Sequence, residues 1–563
     1  MSHELEDKKN NITQEVSLRD SDDELNNGPF KYDESERKSR LAGGAKTRDI
    51  LMVLCAGFAL ISDGYQNNVM SMLNSVFPRA LDTPSKVYYT DDMKTNVSNA
   101  SLVGTIFGQV AIGMTCDYLG RKWSIVTATV FLIGGSIMCA ASHGKTPEGL
   151  LWMLIISRGV TGFGIGAEYP SSSISASEAA NESIKRRGRA FVLCTNLPLS
   201  FGGPFALIVF LIVHQITKDH YEALWRTMFA IGCFWPLSVF YFRLKIATST
   251  LYKKNAIKRK VPYWLALKYH WKRLFGTCVC WFLYDFVTFP NGIFASTVIS
   301  GVLSKAQAKD LDKVAEWNLL LGVIGIPGVI VGAFLCDRIG RKYTLIIGFM
   351  GYIVFGLIVG CAYDKMKKIT ALFIVFYGLM MSSGNLGPGD MMGLTSSESF
   401  ATPIRGTAYG LSAAIGKVGA VVGTKTFTPL RARGDKWTFI VAAICGLVGV
   451  LVAYFFIPHL RDDDLLKEDI KFKNYLIANG WTGHFGDETE SEEDLEFSKT
   501  SISTTEEDES GSVADAYKQI QEAEKQADQL EKMLENLDAK MDSILNDAER
   551  LQKGASEKPD NEA

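Results

Sequence analysis

A six-residue signature occurs twice in this chain, each time directly after a long apolar segment. The first copy is Asp117-Tyr-Leu-Gly-Arg-Lys122, and the second is Asp337-Arg-Ile-Gly-Arg-Lys342. A tight, charged turn of this kind suits a short cytosolic connection between two membrane helices. Because the two copies occupy matching places in two halves of the chain, they predict a duplicated helical bundle, which is typical of alternating-access transporters.

The distribution of apolar residues predicts an all-α membrane protein. Apolar residues make up 47% of the 563 residues and are concentrated between residues 49 and 457. A membrane-spanning helix needs about 20 mostly apolar residues, and twelve segments meet this requirement, six on each side of a basic linker. The predicted spans are 50–77, 99–116, 123–142, 150–170, 190–214, 225–243, 274–302, 316–336, 343–362, 370–390, 405–428 and 437–457.

Lysine and arginine predict the orientation of these spans. They are concentrated in the connections after even-numbered spans and in the central linker, which marks the cytosolic side and places both termini there. The net charge of −2 gives no field that would attract nucleic acid. The predicted organisation is an N-terminal arm (1–48), a first six-helix half (49–243), a basic cytosolic linker (244–273), a second six-helix half (274–457), an acidic cytosolic linker (458–510), a coiled-coil segment (511–553) and a disordered tail (554–563).

Five ionisable residues fall inside the predicted spans, namely Asp63, Arg158, Glu168, Asp285 and Lys417. Charges at membrane depth are costly and are therefore candidates for function. Asp63 and Asp285 belong to the first span of each half, so the duplication predicts that they are counterparts facing a central cavity. Lys417 is the candidate for binding an anion, or else it forms a purely structural ion pair with Asp285. Arg158 and Glu168 are assigned to gating or structure.

Several short motifs lie within the predicted spans. They are Asp63 in the first span, Gly166-Ala-Glu-Tyr-Pro170 in the fourth, Trp281 with Asp285 in the seventh and Gly416-Lys417 in the eleventh. These motifs resemble the phosphate:proton symporter family of the major facilitator superfamily. Longer stretches, such as Asp285-Phe-Val-Thr-Phe-Pro-Asn-Gly292, are similar to the glycerophosphoinositol permeases of fungi. The resemblance runs from about residue 44 to residue 485 and implies the major facilitator fold, with twelve helices in two halves.

The resemblance also implies roles for single residues. In that family the acids that match Asp63 and Asp285 carry protons, and the residues that match Tyr169, Trp281 and Lys417 surround the phosphate. We also expect Asn385 and Asp390 to lie near the polyol end of a substrate. The turns that contain Asp117, Arg121, Asp337 and Arg341 would act in gating. The full set expected to bind substrate is Tyr169, Asn196, Trp281, Asn385, Asp390 and Lys417.

Three positions depart from the pattern of phosphate carriers. Phe289, Gly389 and Asn196 stand where those carriers tend to have tyrosine, asparagine and glutamine. Each change removes or shortens a polar group, and Gly389 opens volume, so a bulkier phosphodiester fits better than free phosphate. We therefore predict a proton-coupled plasma-membrane importer of glycerophosphodiesters, with glycerophosphoinositol as the first candidate. The alternatives are a glycerophosphocholine or inorganic phosphate symporter and a nutrient sensor that does not transport. No enzymatic role, cofactor or metal is expected.

The C-terminal region carries a separate signal. Apolar residues recur at alternating steps of three and four from Ile520 to Leu551, which predicts a coiled-coil seam. Residues 520–551 could dimerise the chain or bind a cytosolic partner, and the sequence does not choose. The acidic, serine- and threonine-rich run 487–510 has the composition of a disordered segment.

Overall fold

The computed structural model describes residue 57 and residues 60–183, 186–244, 261–460 and 465–483. The predicted arm 1–48, the coiled-coil segment 511–553 and the tail 554–563 lie outside these residues, as do most of the basic linker and most of the acidic linker. Within the described ranges, helices form the whole regular structure apart from one isolated β-bridge between Thr83 and Lys86.

The described helices follow the duplicated order that the signature predicts. The first half contains α1 (Leu60–Leu81), α2 (Asp91–Leu119), α3 (Arg121–Ala140), α4 (Pro147–Ser183), α5 (Arg187–Thr217), α6 (Tyr221–Ile231) and α7 (Phe234–Leu244). The second half contains α8 (Tyr263–Ile293), α9 (Ala295–Val302), α10 (Lys305–Lys309), α11 (Leu311–Ile339), α12 (Arg341–Met366), α13 (Thr370–Gly384), a π-helical turn (Asn385–Gly389), α14 (Asp390–Glu398), α15 (Thr402–Ala432), α16 (Lys436–Phe456) and, beyond the bundle, α17 (Leu465–Ala478).

The chain is a multi-pass membrane protein. Among the described residues, nine helical segments are long and apolar enough to cross a membrane, or ten if α8 and α9, bent by 59°, form one span. Helices α1 and α15 fall short of this test. Each buries polar side chains, including Asp63 and Gln66 in α1 and Arg405 and Lys417 in α15, and these groups lower the mean hydropathy of a helix.

The two signature turns are built alike. Gly120 ends α2 with φ 84°, and Gly340 ends α11 with φ 89°. A side chain is disfavoured at such angles, which explains why the signature has glycine at this place. In both turns the following arginine reaches back one helical turn to the signature aspartate. These contacts are Arg121 Nη1 to Asp117 Oδ1 at 2.8 Å and Arg341 Nη1 to Asp337 Oδ1 at 3.4 Å.

Helix packing joins the two halves at their centre. Helix α2 packs against α15, and α5 packs against α11, so each contact pairs one helix from each half. Inside the first half, α4 crosses α2 through small residues: a Cβ at Gly162 would lie 2.0 Å from the Ser101 carbonyl oxygen, and one at Gly166 would lie 2.1 Å from that of Thr105. The glycine-rich stretch of α4 therefore serves close helix packing.

Candidate functional site

A cavity of about 220 Å³ lies between the two halves. Its wall combines residues of α1, α4 and α5 from the first half with residues of α8, α11, the π-helical turn, α14 and α15 from the second. All six residues predicted to bind substrate line it, together with one of the two predicted proton carriers. These seven are Tyr169, Asn196, Trp281, Asp285, Asn385, Asp390 and Lys417.

Lys417 and Asp285 form a buried ion pair on the cavity wall. Lys417 Nζ lies 2.6 Å from Asp285 Oδ2, and both side chains are almost fully shielded from solvent. The ammonium also lies over two aromatic rings, 4.4 Å from the Phe289 centroid and 5.3 Å from the Tyr169 centroid. Such faces attract a desolvated cation. Lys417 is thus held in one place with its charge directed at the cavity, and Phe289 contributes a ring face rather than a hydroxyl.

Glycine at position 416 lets α15 approach α8 at this pair. A Cβ at Gly416 would lie 2.5 Å from the Trp281 ring and 3.1 Å from Asp285 Oδ2. Trp281 in turn packs edge-on against Tyr409 of α15, with 5.6 Å between the ring centroids. In the Gly416-Lys417 dipeptide, the glycine therefore allows α15 to lie close to α8, and the lysine supplies the charge. This explains why the two residues are adjacent in the sequence.

The π-helical turn interrupts the helix that carries Asn385 and Asp390. Asn196 of α5 donates from Nδ2 to the backbone carbonyls of Gly389 and Asp390, both at 3.1 Å. Asn385 donates from Nδ2 to the Gly325 carbonyl of α11 at 3.0 Å. Breaks of this kind free backbone groups that a cavity can use. Here the turn is tied to the opposite half through Asn196.

The space beside Gly389 is partly filled by a residue that the sequence analysis did not select. A Cβ at Gly389 would lie 2.8 Å from the Tyr284 hydroxyl, which is also 3.4 Å from Asn385 Oδ1. Gly389 therefore gives room to a phenol group as well as to a ligand. Tyr284 directly precedes Asp285 in α8, and this position beside an ionisable residue of a predicted span is the sequence feature that could have identified it as a site residue.

Amide and hydroxyl groups form the rest of the polar wall, and sequence analysis missed them too. Asn318 of α11 donates from Nδ2 to Ser71 Oγ of α1 at 2.7 Å, and Tyr377 donates to Asn291 Oδ1 at 3.1 Å. Uncharged amides inside predicted spans were the signal that could have found them. The uncharged polar residues of this part of the cavity are Asn67, Asn68, Ser71, Ser200, Thr288, Asn291 and Asn318.

Two buried carboxylates in the bundle lack hydrogen-bond partners among the described residues. They are Asp63 of α1 and Asp390 of α14, and the lack applies to both oxygens of each. Asp390 lines the cavity, whereas Asp63 is buried outside its wall. An ionised carboxylate in such surroundings is expensive. This separates Asp63 and Asp390 from Asp285, which has a cation.

Glu168 has a partner that the sequence analysis did not name. It forms a buried ion pair with Arg243 of α7, and Arg243 Nη1 also donates to Thr129 Oγ1 at 2.8 Å. Arg158 lies elsewhere: its Nε donates to the Val97 carbonyl at 2.9 Å. Glu168 and Arg158 are therefore structural members of separate networks. Arg243 stands at the C-terminal end of the sixth predicted span, where an arginine looks like a membrane-surface residue.

The signature residues join the two halves at the end of the bundle that carries the basic turns. Asp117 accepts hydrogen bonds from the backbone nitrogens of Gly406 and Thr407 at the start of α15, at 3.0 and 2.8 Å. Asp337 does the same in the opposite direction, accepting from the backbone nitrogen of Arg189 at the start of α5 at 3.2 Å. Each signature aspartate thus binds the beginning of a helix in the other half.

Two further carboxylates complete this junction. Glu178 Oε1 of α4 lies 3.2 Å from Arg121 Nη2 and 3.1 Å from Arg405 Nη1 of the second half. Glu398 at the end of α14 binds Arg341 of its own half and Arg187 of the first half, both at 2.9 Å. The predicted gating residues therefore take part in ion-pair networks that join the two halves.

Helix α17 is attached to the same junction. Asp469 accepts from the backbone nitrogen of Thr402 at 2.6 Å and from its hydroxyl at 2.7 Å. Burial raises the pKa of the Asp469 carboxyl to about 6, against the opposing effect of Arg405. At its first residue, Leu465 donates from its backbone nitrogen to Asn181 Oδ1 of α4 at 3.3 Å. Helix α17 thus contacts both halves.

A duplicated helical bundle with a central charged cavity and a cross-linked base defines a membrane transporter. The family model described as sugar (and other) transporter matches residues 50–472. The chain belongs to this transporter family, which confirms the prediction of a transporter rather than an enzyme. The proton:xylose symporter XylE of E. coli, a major facilitator protein, has the same fold, with a TM-score of 0.63 at 18% identity over 76% of this chain and 99% of that one.

Relatives with higher identity confirm the resemblance to fungal permeases. The chain is 72% identical to glycerophosphoinositol permease 1 of Candida albicans, over 85% of this chain and 92% of the relative. It is 56% identical to glycerophosphoinositol transporter 1 of Saccharomyces cerevisiae, again over 85% of this chain and 92% of the relative. Plant inorganic phosphate transporters are more distant, at 25% to 26% identity.

Proposed function

We propose that this chain imports glycerophosphodiesters across the plasma membrane together with protons, and that glycerophosphoinositol is its first substrate. The observation that carries the proposal is the cavity, in which a fixed cation faces a wall of amide and hydroxyl groups from both halves. Among the described residues that line it, Lys417 is the only cation. One cation suits a phosphodiester, which carries one negative charge, and the amides suit a polyol. The names of the relatives support the same substrate class.

In this proposal the substrate and the proton use neighbouring groups. Lys417, Tyr169, Trp281 and Asn196 hold the phosphodiester, while Asn385 and Asp390 lie toward the polyol. An arriving anion competes with Asp285 for Lys417, whose ammonium can make charge-assisted bonds to either. Asp285 without its cation then favours its neutral form, which links substrate binding to proton uptake. Asp63 serves as the second proton carrier, since it is buried in the first half and neither of its carboxyl oxygens bonds to a described residue.

The proposal also includes the arrangement in the membrane. Helices α1 and α15, together with the bent pair α8 and α9, bring the spans to twelve, in the halves 49–243 and 274–457. Both termini lie in the cytosol, where the basic turns of the signature and the linker 244–273 belong. Asp117, Arg121, Asp337 and Arg341, with Arg158 and Glu168, act in gating or structure. Residues 520–551 provide the coiled coil for self-association or a cytosolic partner.

Uptake into cells that lack their own phosphate and glycerophosphodiester carriers tests this function. Radiolabelled glycerophosphoinositol, glycerophosphocholine and phosphate are supplied to phosphate-starved cells with and without the chain. Glycerophosphoinositol should accumulate, phosphate should not, and uptake should fall as external pH rises. Uptake that does not depend on pH would reject proton coupling, and phosphate uptake alone would reject the substrate class.

Glycerophosphocholine is the second candidate, because the Asp390 carboxyl lines the cavity and could approach the choline cation. Accumulation of this substrate ahead of glycerophosphoinositol would favour it. A nutrient sensor would bind a glycerophosphodiester without accumulating it, and truncation after residue 485 would silence its signalling while binding remained.

A further inference from the structure

Away from the ion-pair networks of the signature turns, both halves bury charge in a similar way. The first half has the buried ion pair of Glu168 with Arg243, and the second has that of Asp285 with Lys417. Each half also has one buried carboxylate without a partner among the described residues, Asp63 in the first and Asp390 in the second. The pattern sets Asp390 apart from the polar residues around it, all of which are uncharged or paired.

Burial makes the state of Asp390 a chemical question. The residue is 1% exposed, and neither carboxyl oxygen accepts a hydrogen bond from a described residue. Asn196 is the polar neighbour of this carboxyl, and its two hydrogen bonds run from Nδ2 to the backbone carbonyls of Gly389 and Asp390. An ionised carboxylate in this position would lose its hydration, and no bond to a cation or a donor would offset that free-energy cost. The neutral acid avoids the cost.

Among the described residues, no cation bonds to the Asp390 carboxyl. On α11, a Cβ at Gly332 would lie 2.2 Å from Asp390 Oδ2, so this oxygen is pressed against backbone. The arginine at the start of α12, Arg341, is bound to Glu398. Two titratable groups that interact electrostatically with Asp390 are Tyr284 of α8 and Cys336 of α11. Other ionisable groups of the cavity on helices that pack against α14 are Tyr169 of α4, Asp285 of α8, and Tyr409 and Lys417 of α15.

We propose that Asp390 is a further proton-binding site of the transport cycle, occupied in the conformation described here and emptied when the halves rearrange. This inference rests on the proposed function. Asp390 follows the π-helical turn directly, and Asn196 ties that turn to the first half. When the halves move apart at this point, the two bonds from Asn196 break and the turn can shift. The carboxyl then meets water or a donor, and its proton leaves.

This site predicts a defined loss in the driving force for uptake. A monoanionic substrate that moves with one proton carries no net charge. With the membrane potential held at zero, a pH difference of one unit then drives about tenfold accumulation of the substrate. Each further proton that moves with the substrate adds about another tenfold. Asp390→Asn keeps the shape of the neutral acid but cannot release a proton. It should therefore lower accumulation about tenfold per unit of pH difference.

The experiment measures accumulation of glycerophosphoinositol by the full chain in liposomes, with a pH difference of one unit and the potential clamped. The readout is the ratio of accumulation with the gradient to accumulation without it, which does not depend on the amount of active protein. Asp390→Glu keeps a titratable acid and should retain the ratio of the parent chain. Asn385→Ala, in the same turn, should change the apparent affinity while leaving the ratio unaltered.

The outcomes separate the inference from the function on which it rests. A parent chain that does not accumulate the substrate in response to pH contradicts the proposed function. A parent chain that does so, with an equal ratio for Asp390→Asn, contradicts the proton site alone and leaves Asp390 as a substrate ligand. If Asp390→Asn cannot be purified, the Asp390→Glu variant decides instead. An accumulation ratio for Asp390→Glu below that of the parent chain would overturn the proposal, because glutamate keeps a titratable carboxyl.

Discussion

The cavity and the base of the bundle both contain buried charges, but they treat them differently. At the base, Glu178 and Glu398 each bind two arginines, one from each half. At the cavity, Lys417 has one carboxylate partner, and Asp390 has none among the described residues. Fully compensated charges fix one arrangement of the halves, whereas sparingly compensated charges remain available for a substrate or a proton. The residues that we propose for gating thus differ from those that we propose for binding in how completely their charges are compensated.

The largest expected effect comes from breaking the ion pair in the cavity. Lys417→Ala removes the cation, and Asp285→Asn removes its partner, and breaking a buried pair costs about 3–5 kcal/mol. Each should reduce uptake of glycerophosphoinositol about 100-fold or more, while the protein still reaches the cell surface. Lys425→Ala is the matched control, since Lys425 lies on the same helix with an exposed side chain. Near-normal uptake by either cavity variant would contradict the shared site.

A somewhat smaller effect is expected at the base. Arg405→Ala leaves Glu178 with one arginine and should lower the free energy of unfolding by about 3 kcal/mol, with a loss of uptake of about tenfold. The thermal midpoint of the purified chain and uptake by intact cells measure the two effects. Arg433, exposed just after α15, provides the control substitution Arg433→Ala. A double substitution with Glu178→Gln that is fully additive would show that this pair is not coupled.

Helix α17 should make the stability of the base of the bundle depend on pH. Because burial raises the pKa of Asp469 to about 6 from an ordinary 3.8, the folded state binds a proton more tightly than the unfolded state does. The contribution of Asp469 to stability is therefore fully present below about pH 4 and falls as pH rises to about 6, by at most about 3 kcal/mol. The thermal midpoint of the parent chain minus that of Asp469→Asn should therefore fall as pH rises from about 4 to about 6, and a value of this difference that rises with pH would contradict the account.

The smallest effect tests the packing that positions Lys417. Gly416→Ala places a methyl group against the Trp281 ring, and overpacking of this kind costs about 1–3 kcal/mol. Uptake should fall several-fold, mainly through weaker substrate affinity. Gly134→Ala is the matched control, because a Cβ at Gly134 meets no atom within 4 Å. Equal uptake by the two variants would show that the approach of α15 to Trp281 does not matter for binding.

The sequence predicted the features that come from repetition and from charge at membrane depth. The signature located the two turns, and the structure explains their glycines by positive φ at Gly120 and Gly340. The ionisable residues of the spans led directly to Asp285 and Lys417. Their pairing could be anticipated because each was expensive alone and both were expected at the same cavity.

Other parts of the site depend on contacts between distant segments that no local pattern encodes. Arg243 pairs with Glu168 only because α7 returns to α4, and Asn196 holds the π-helical turn through backbone carbonyls that are invisible in a sequence. The amides Asn291 and Asn318 were overlooked because an uncharged polar residue in a span is common. Helix α17 was assigned to a linker because its polar composition hides a face that packs on the bundle.

Titration calorimetry of glycerophosphoinositol binding to the purified chain tests the central claim most directly. The account predicts saturable binding by the parent chain and by Lys425→Ala, with competition from glycerophosphocholine stronger than from phosphate, and loss of binding in Lys417→Ala. Undiminished binding by Lys417→Ala in a folded protein would contradict the claim that this cation in the central cavity holds the phosphodiester.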